Sequence, residues 1–125
     1  MYEKYEKLEP RYEKTSSKIT GTFLDETGTP VPSASFTAIT MSLFLLDDSA
    51  PIINGRDNQN ILNANNCTVD ANGLFTWNVQ PADRAMVGSG GSEIHRAEIR
   101  YKWNAGASEG VVVIDLPINN LKKTV

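Results

Sequence analysis

Few residues in this chain have the chemistry to act on a substrate. The one histidine is His95 and the one cysteine is Cys67. A histidine base needs a nucleophile and an orienting acid beside it. Ser92 and Glu93 are near in sequence, but no G-x-S-x-G elbow frames them. His95 alternates with Ala97, Ile99 and Tyr101, which predicts a hydrogen-bonded structural histidine on an apolar strand face. Cys67 reads as a small buried residue, and a lone cysteine can form no intrachain disulfide. One Cys and one His cannot make a four-ligand zinc site. Acidic pairs stand at Asp25-Glu26 and Asp47-Asp48. Calcium asks for roughly six to eight oxygens. Asp70-Ala71-Asn72-Gly73 holds only a fragment of that loop and is read as a turn. Gly88-Ser89-Gly90-Gly91 is glycine-rich like a phosphate loop, but it lacks the Gly-Lys-Ser/Thr ending and a following helix. The expectation is a non-enzyme with no catalytic residues, no cofactor and no metal. What remains is a charged ladder, Arg96, Glu98, Arg100 and Lys102, along one strand face. It reads as a solvated sheet face, or as a polar protein contact.

The elements that carry these residues are strands. Leu74–Gln80 puts Phe75, Trp77 and Val79 on one side, with Thr76, Asn78 and Gln80 on the other. His95–Trp103 puts His95, Ala97, Ile99, Tyr101 and Trp103 opposite the ladder. Successive strand side chains point to opposite faces, so each strand has one apolar and one polar side. Two such strands, holding both tryptophans, predict the centre of a sandwich core. Lys18–Leu24, Ala34–Leu46 and Val111–Ile118 alternate in the same way. Phe44 falls on the polar side of its strand, an exception. Short pieces are expected at Ile52-Ile53, Ile61-Leu62 and Cys67-Thr68-Val69. The asparagines between Pro51 and Asn66 favour turns and left-handed backbone, with Asn54-Gly55 a tight turn. The prediction is an all-β, immunoglobulin-like antiparallel β-sandwich of about seven strands. A small oligonucleotide-binding barrel is the alternative. It fits less well because the basic residues lack interleaved exposed aromatics.

Residues 1–17 read as an extended N-terminal arm ahead of a domain over 18–125. Tyr-Glu-Lys occurs at Tyr2, Tyr5 and Tyr12. The four acids and four bases up to Lys14 cancel. Tyr2, Tyr5 and Leu8 could align on a short helical turn before Pro10, and Thr15-Ser16-Ser17 reads as a linker. The arm is too short to fold alone, so it is expected to dock on an adjacent subunit. The predicted partner-binding residues are Tyr2, Tyr5, Leu8 and Tyr12 of the arm, with Arg96 and Arg100 of the ladder. The segment 121–125 reads as a basic tail. The 125 residues suffice for one domain, and the net charge of −3 with scattered bases argues against a nucleic-acid partner. Residues 1–14 lack an apolar core, and no run approaches the roughly 18 apolar residues of a membrane span, so neither a secretory leader nor a membrane partner is expected.

A family resemblance adds to this. Ile19-Thr20-Gly21-Thr22 with Asp25, Gly28 and Val31-Pro32 forms one block. Ile53-Asn54-Gly55-Arg56, Gln59-Asn60 and Asn63-Ala64-Asn65-Asn66 form the next. Asp70-x-x-Gly73 with Phe75, Trp77, Pro81 and Asp83 follows. Glu93-x-His95-Arg96-Ala97 and Trp103-Asn104-Ala105-Gly106 complete the set. Together, over residues 18–122, they resemble small immunoglobulin-like virion proteins of tailed bacteriophages. The resemblance implies a non-enzymatic structural protein located in the virion: a head decoration, neck or tail-adaptor component. Its implied partners are capsid, portal, neck or tail subunits, with multiple copies per particle. A host-surface or glycan-binding module is the alternative.

Overall fold

The computed structural model describes residues 2–121. The basic tail expected over 121–125 therefore lies almost wholly outside the described residues. The strands are β1 (Tyr2–Lys7), β2 (Arg11–Tyr12), β3 (Ser17–Thr22), β4 (Ala38–Leu45), β5 (Gln59–Asn60), β6 (Cys67–Val69), β7 (Leu74–Val79), β8 (Ser92–Trp103) and β9 (Ser108–Asn119). Single 3-10 turns occur at Ser33–Ser35 and Pro81–Arg84. No helix among the described residues is long and apolar enough to cross a membrane.

Two sheets result. One has the order β1-β9-β8-β4-β5, with β2 also pairing β9; the other has the order β3-β7-β6. All pairings are antiparallel except β1 and β2 against β9, which are parallel. The chain passes from one sheet to the other between β2 and β3, β3 and β4, β5 and β6, and β7 and β8, as in an immunoglobulin-like sandwich. The expected all-β sandwich is what forms.

The alternation read from the sequence sets the core. Phe75, Trp77 and Val79 of β7 face Ala97, Ile99, Tyr101 and Trp103 of β8, and all are buried. Ile39, Met41 and Leu43 of β4 and Val112, Ile114 and Leu116 of β9 fill in beside them. Phe23 stacks on Tyr101 with ring centroids 4.4 Å apart, and Tyr101 stacks on Trp103 at 5.3 Å. The Tyr101 hydroxyl donates to the Leu24 carbonyl at 2.7 Å, so the polar tip of a buried ring is satisfied. Gly110 lies directly across from Tyr101 in the β8–β9 register. A Cβ at Gly110 would overlap the Tyr101 ring. Gly110→Ala should therefore destabilise by about 1–3 kcal/mol, the usual range for overpacking. Urea denaturation, with near-UV circular dichroism to follow the aromatic stack, measures it. A neutral substitution would mean the ring does not rest on β9.

The arm is where expectation and structure part. It makes neither a helical turn nor a free segment. β1 and β2 run along β9 inside the same sheet, and Leu8 packs half-buried against the core. Hydrogen bonding explains the preference. The apolar face of Tyr2, Tyr5 and Leu8 is too short to sustain a helix of so few residues, whereas β9 offers a row of unpaired backbone groups. The Leu8 N–H donates to the Asp115 carbonyl and the Glu13 N–H to the Asn119 carbonyl, each at 2.9 Å. The stretch read as a linker is pinned too. Arg84 donates to the Thr15 carbonyl at 3.2 Å and to the Ser17 hydroxyl at 2.8 Å. The boundary at residue 17 thus falls within one sandwich, and the arm does not need a neighbour to become ordered.

Candidate functional site

The residues that looked chemical in the sequence turn out to hold loops. The Asp25 carboxylate accepts from the backbone of Thr27 and Thr29 and from the Thr27 hydroxyl. Asp47 does the same for Ser49 and Ala50. These bonds, led by the Thr27 and Ser49 hydroxyls, hold both carboxyls below their ordinary range. Asp70 accepts from the backbone of Asn72 and Leu74. Each acid closes a turn of its own. The glycine-rich loop also cradles an anion, but an internal one. The N–H groups of Val87 and Gly88 both donate to the Glu93 carboxylate at 2.9 Å. Burial would raise the Glu93 carboxyl, yet these donors and His95 outweigh it and hold it low.

His95 is fully buried, as its strand phase predicted. One ring nitrogen meets Glu93 and the other meets the Asp83 carbonyl at 2.8 Å. One contact ties β8 to the Pro81–Arg84 turn, and the other steadies Glu93 of the same strand, whose carboxylate holds Val87 and Gly88. Cys67 is buried, and desolvation pushes its thiol up to about 12. It is a packing residue with no thiolate at neutral pH.

Sequence reasoning missed the densest polar cluster. Arg56 and Asp83 are both almost wholly buried. Arg56 Nε meets Asp83 Oδ1 at 2.6 Å, and Nη2 meets Oδ2 at 3.2 Å. The remaining guanidinium donors reach Gln59 at 2.9 Å, the Asn65 carbonyl at 3.0 Å and the Asn66 side chain at 3.0 Å. Asp83 also accepts from Asn54 and from the Gln80 backbone N–H, each at 2.8 Å. This network ties the irregular segment 51–66 to the Pro81–Arg84 turn. The available signal was an Arg and many Asn in a loop that no periodicity accounts for.

The outer face of the larger sheet is the remaining surface with binding character. Tyr5, Arg96 and Arg100, three of the expected partner residues, line one open depression of about 720 Å³ together with Val111 and Val113. Tyr5 comes from β1, the arginines from β8 and the valines from β9. Arg96 is not a free member of a solvated ladder. It forms a two-pronged pair with Asp115, Nε to Oδ1 at 2.7 Å and Nη2 to Oδ2 at 2.9 Å. The Tyr5 hydroxyl donates to the same carboxylate at 2.7 Å, and the Arg96 guanidinium lies 5.9 Å from the Tyr5 ring centroid. Asp115 is buried beneath them although it sits on the outer face. Arg100 remains exposed, with Glu109 3.6 Å away. The other expected residues lie elsewhere. Tyr12 is exposed on β2, Leu8 is turned toward the protein's own core, and Tyr2 is placed only as a backbone partner of Gly110.

The Tyr5–Asp115–Arg96 cluster fastens β1 over β9. Its hydrogen bond from Arg96, then that from Tyr5, lowers the Asp115 carboxyl against the opposing cost of burial. The hydrogen bond to Asp115 raises the Tyr5 phenol. A lowered acid contributes stability above its unfolded value of about 3.9 and loses it as pH falls through the folded value. A raised phenol contributes below its unfolded value of about 10 and loses it as pH rises through the folded value. The fastening should therefore hold between roughly pH 4 and 10. Hydrogen exchange of the β1-side amides, Leu8 among them, should speed up below that window before the β8 amides do. In Asp115→Asn the same amides should exchange fast already at neutral pH. Equal acid dependence in both proteins would show that Asp115 does not hold the strand.

No protein-family model matches the chain, and neither does any curated protein or any solved structure.

Proposed function

We propose that this chain is a non-enzymatic structural component of a tailed-bacteriophage virion, a head decoration, neck or tail-adaptor protein. The observation that carries the reading is the outer face built by β1, β8 and β9. It sets an exposed tyrosine and an exposed arginine around aliphatic Val111 and Val113. Aromatic and arginine side chains around an apolar patch are the composition of protein–protein contact centres. The resemblance over residues 18–122 supplies the virion context. Its partners are then capsid, portal, neck or tail subunits, reached through this face rather than through a free arm. A glycan-binding role has less support, because Trp77 and Trp103 are in the core rather than on loops.

Mass spectrometry of purified phage particles from cells carrying the gene tests the reading. The chain should be present in multiple copies per particle, and Tyr5→Ala with Arg100→Glu should remove it from particles without unfolding it. Its presence in the lysate but not in purified particles would overturn the proposal.

A further inference from the structure

β1 closes one end of the larger sheet, with no strand beyond it among the described residues. An open edge of this kind is a template for another strand. Which of its backbone groups are free follows from the pairing already made. The Leu8 N–H donates to Asp115 of β9. Backbone groups alternate sides along a strand, so Lys4 and Glu6 also direct theirs at β9. Glu3, Tyr5 and Lys7 direct theirs outward, away from the sheet.

We propose that two copies of this chain associate through their β1 edges, antiparallel about a two-fold axis at Tyr5, joining their larger sheets into one. The sequence Glu3-Lys4-Tyr5-Glu6-Lys7 is self-complementary in that arrangement. Outward-facing backbone groups must oppose each other in the hydrogen-bonded pairs. Among registers that satisfy this, centring on Tyr5 sets Glu3 against Lys7 and Lys4 against Glu6, in both halves. Centring on Lys4 sets Lys4 against Lys4. Centring on Glu6 sets Glu6 against Glu6. Only the Tyr5 register matches every charge with its opposite, and opposite charges across strands are favourable while like charges are not.

The local geometry suits this partner. Lys4 and Glu6 are about half exposed and lie 3.9 Å apart within one copy. Their counterparts would complete a square of four alternating charges. These two residues form the non-hydrogen-bonded pair, where side chains across antiparallel strands come closest. Tyr5 leans the other way, its hydroxyl held by Asp115 of its own copy, so two rings at the axis need not collide. Charged residues on an edge usually guard against pairing. Here the signs alternate, so the guard works against other strands and admits this one. A two-fold contact uses the same patch on both copies, which self-complementarity requires.

Sedimentation equilibrium of the full chain should give twice the 13.7 kDa monomer mass. Lys4→Glu and Glu6→Lys each place like charges in both halves of the contact. Each should weaken dimerisation by about tenfold or more. Lys4→Glu carries two acids at positions 4 and 6, and Glu6→Lys carries two bases there. Mixing the two variants sets the acids of one against the bases of the other, and should restore the dimer as a heterodimer. The double variant should self-associate like the unaltered chain. Three results would overturn the proposal: a monomer at about 0.5 mM protein, far above a micromolar Kd; a dimer indifferent to either reversal; or two monomeric variants, folded by circular dichroism, that fail to rescue each other.

Discussion

Removing either member of the Arg56–Asp83 pair should destabilise the domain by roughly 3–5 kcal/mol, the usual cost of stranding one buried charge. Both side chains are almost completely shielded, and every polar hydrogen of the guanidinium has a place to go. In Asp83→Ala, the guanidinium keeps its Gln59, Asn65 and Asn66 contacts but loses its counter-charge. The Asn54 side chain and the Gln80 N–H lose their acceptor in the same step. In Arg56→Ala, three loop acceptors lose their donor and the carboxylate is left in the core. Replacing both residues with apolar ones should cost less than the two single losses added together, because neither charge is then left alone. Urea unfolding of the two single variants and the double variant provides the cycle. Single losses under about 1 kcal/mol, the range of an exposed pair, would show that water reaches the site and that the segment 51–66 is held by other means.

That pair also marks the limit of what could be read from the residues. The period-two alternation in 74–80 and 95–103 located the core strands because burial of one sheet face is a local, repeating demand. The same logic placed His95 inside and both tryptophans on facing sheets. Asn54, Asn58, Asn63, Asn65 and Asn66 all adopt positive φ, as their clustering suggested, and Asn54 with Gly55 forms the expected tight turn. What those turns are for is a different matter. Arg56 and Asp83 are 27 positions apart and meet only because two loops end at the same place. No periodicity announces such a meeting. Asn54, Arg56, Gln59, Asn66, Asp83, Glu93 and His95 all belong to this connected network or to its His95 branch.

The arm departs from its expected form for a related reason. Tyr2, Tyr5 and Leu8 at three-residue spacing suggest a helical face, and the charges around them suggest solvent. In a strand, residues three apart point to opposite sides. Tyr5 accordingly lies on the outer face over Asp115, while Leu8 turns inward. Asp115 gives no warning, since an acid between Ile114 and Leu116 on an alternating strand reads as solvent-facing. It does face outward. It is buried because the arm covers it from far away in the chain, Tyr5 and Asp115 being 110 positions apart. The partner residues expected from the sequence are therefore placed by contacts within the chain itself. Tyr5 and Arg96 do gather on one surface with Arg100, but two of them are held there by a carboxylate of the same chain.

Trp77→Ala should cost about 3–5 kcal/mol, as expected for deleting a large aromatic side chain from a packed core. Its side chain is fully shielded from solvent, and its strand is the middle one of the smaller sheet. Ile19 of β3 and Cys67 of β6 are its register partners on either side. The ring also supports the buried pair, since the Arg56 guanidinium lies 5.7 Å from its centroid. A cation over an aromatic face is stabilised by the ring's quadrupole, and most so where water is excluded. The indole N–H has no hydrogen-bond acceptor among the described residues. A buried donor left unpaired costs free energy that a hydrocarbon would not. Two results follow from this. Trp77→Phe should be much milder than Trp77→Ala, because it keeps a ring beneath Arg56 and removes the unpaired donor. Trp77→Ala should also be less than additive with Asp83→Ala, because both act on the same guanidinium. Trp77 and Trp103 are the chain's only tryptophans. With Trp77 replaced, Trp103 is the one tryptophan left, and its fluorescence reports the unfolding of each variant. Guanidinium titrations of Trp77→Phe, Trp77→Ala and the Ala double variant measure these differences. If Trp77→Phe proved as damaging as Trp77→Ala, the indole N–H would have to be bonded in solution. Strict additivity with Asp83→Ala would show that the ring and the ion pair are independent.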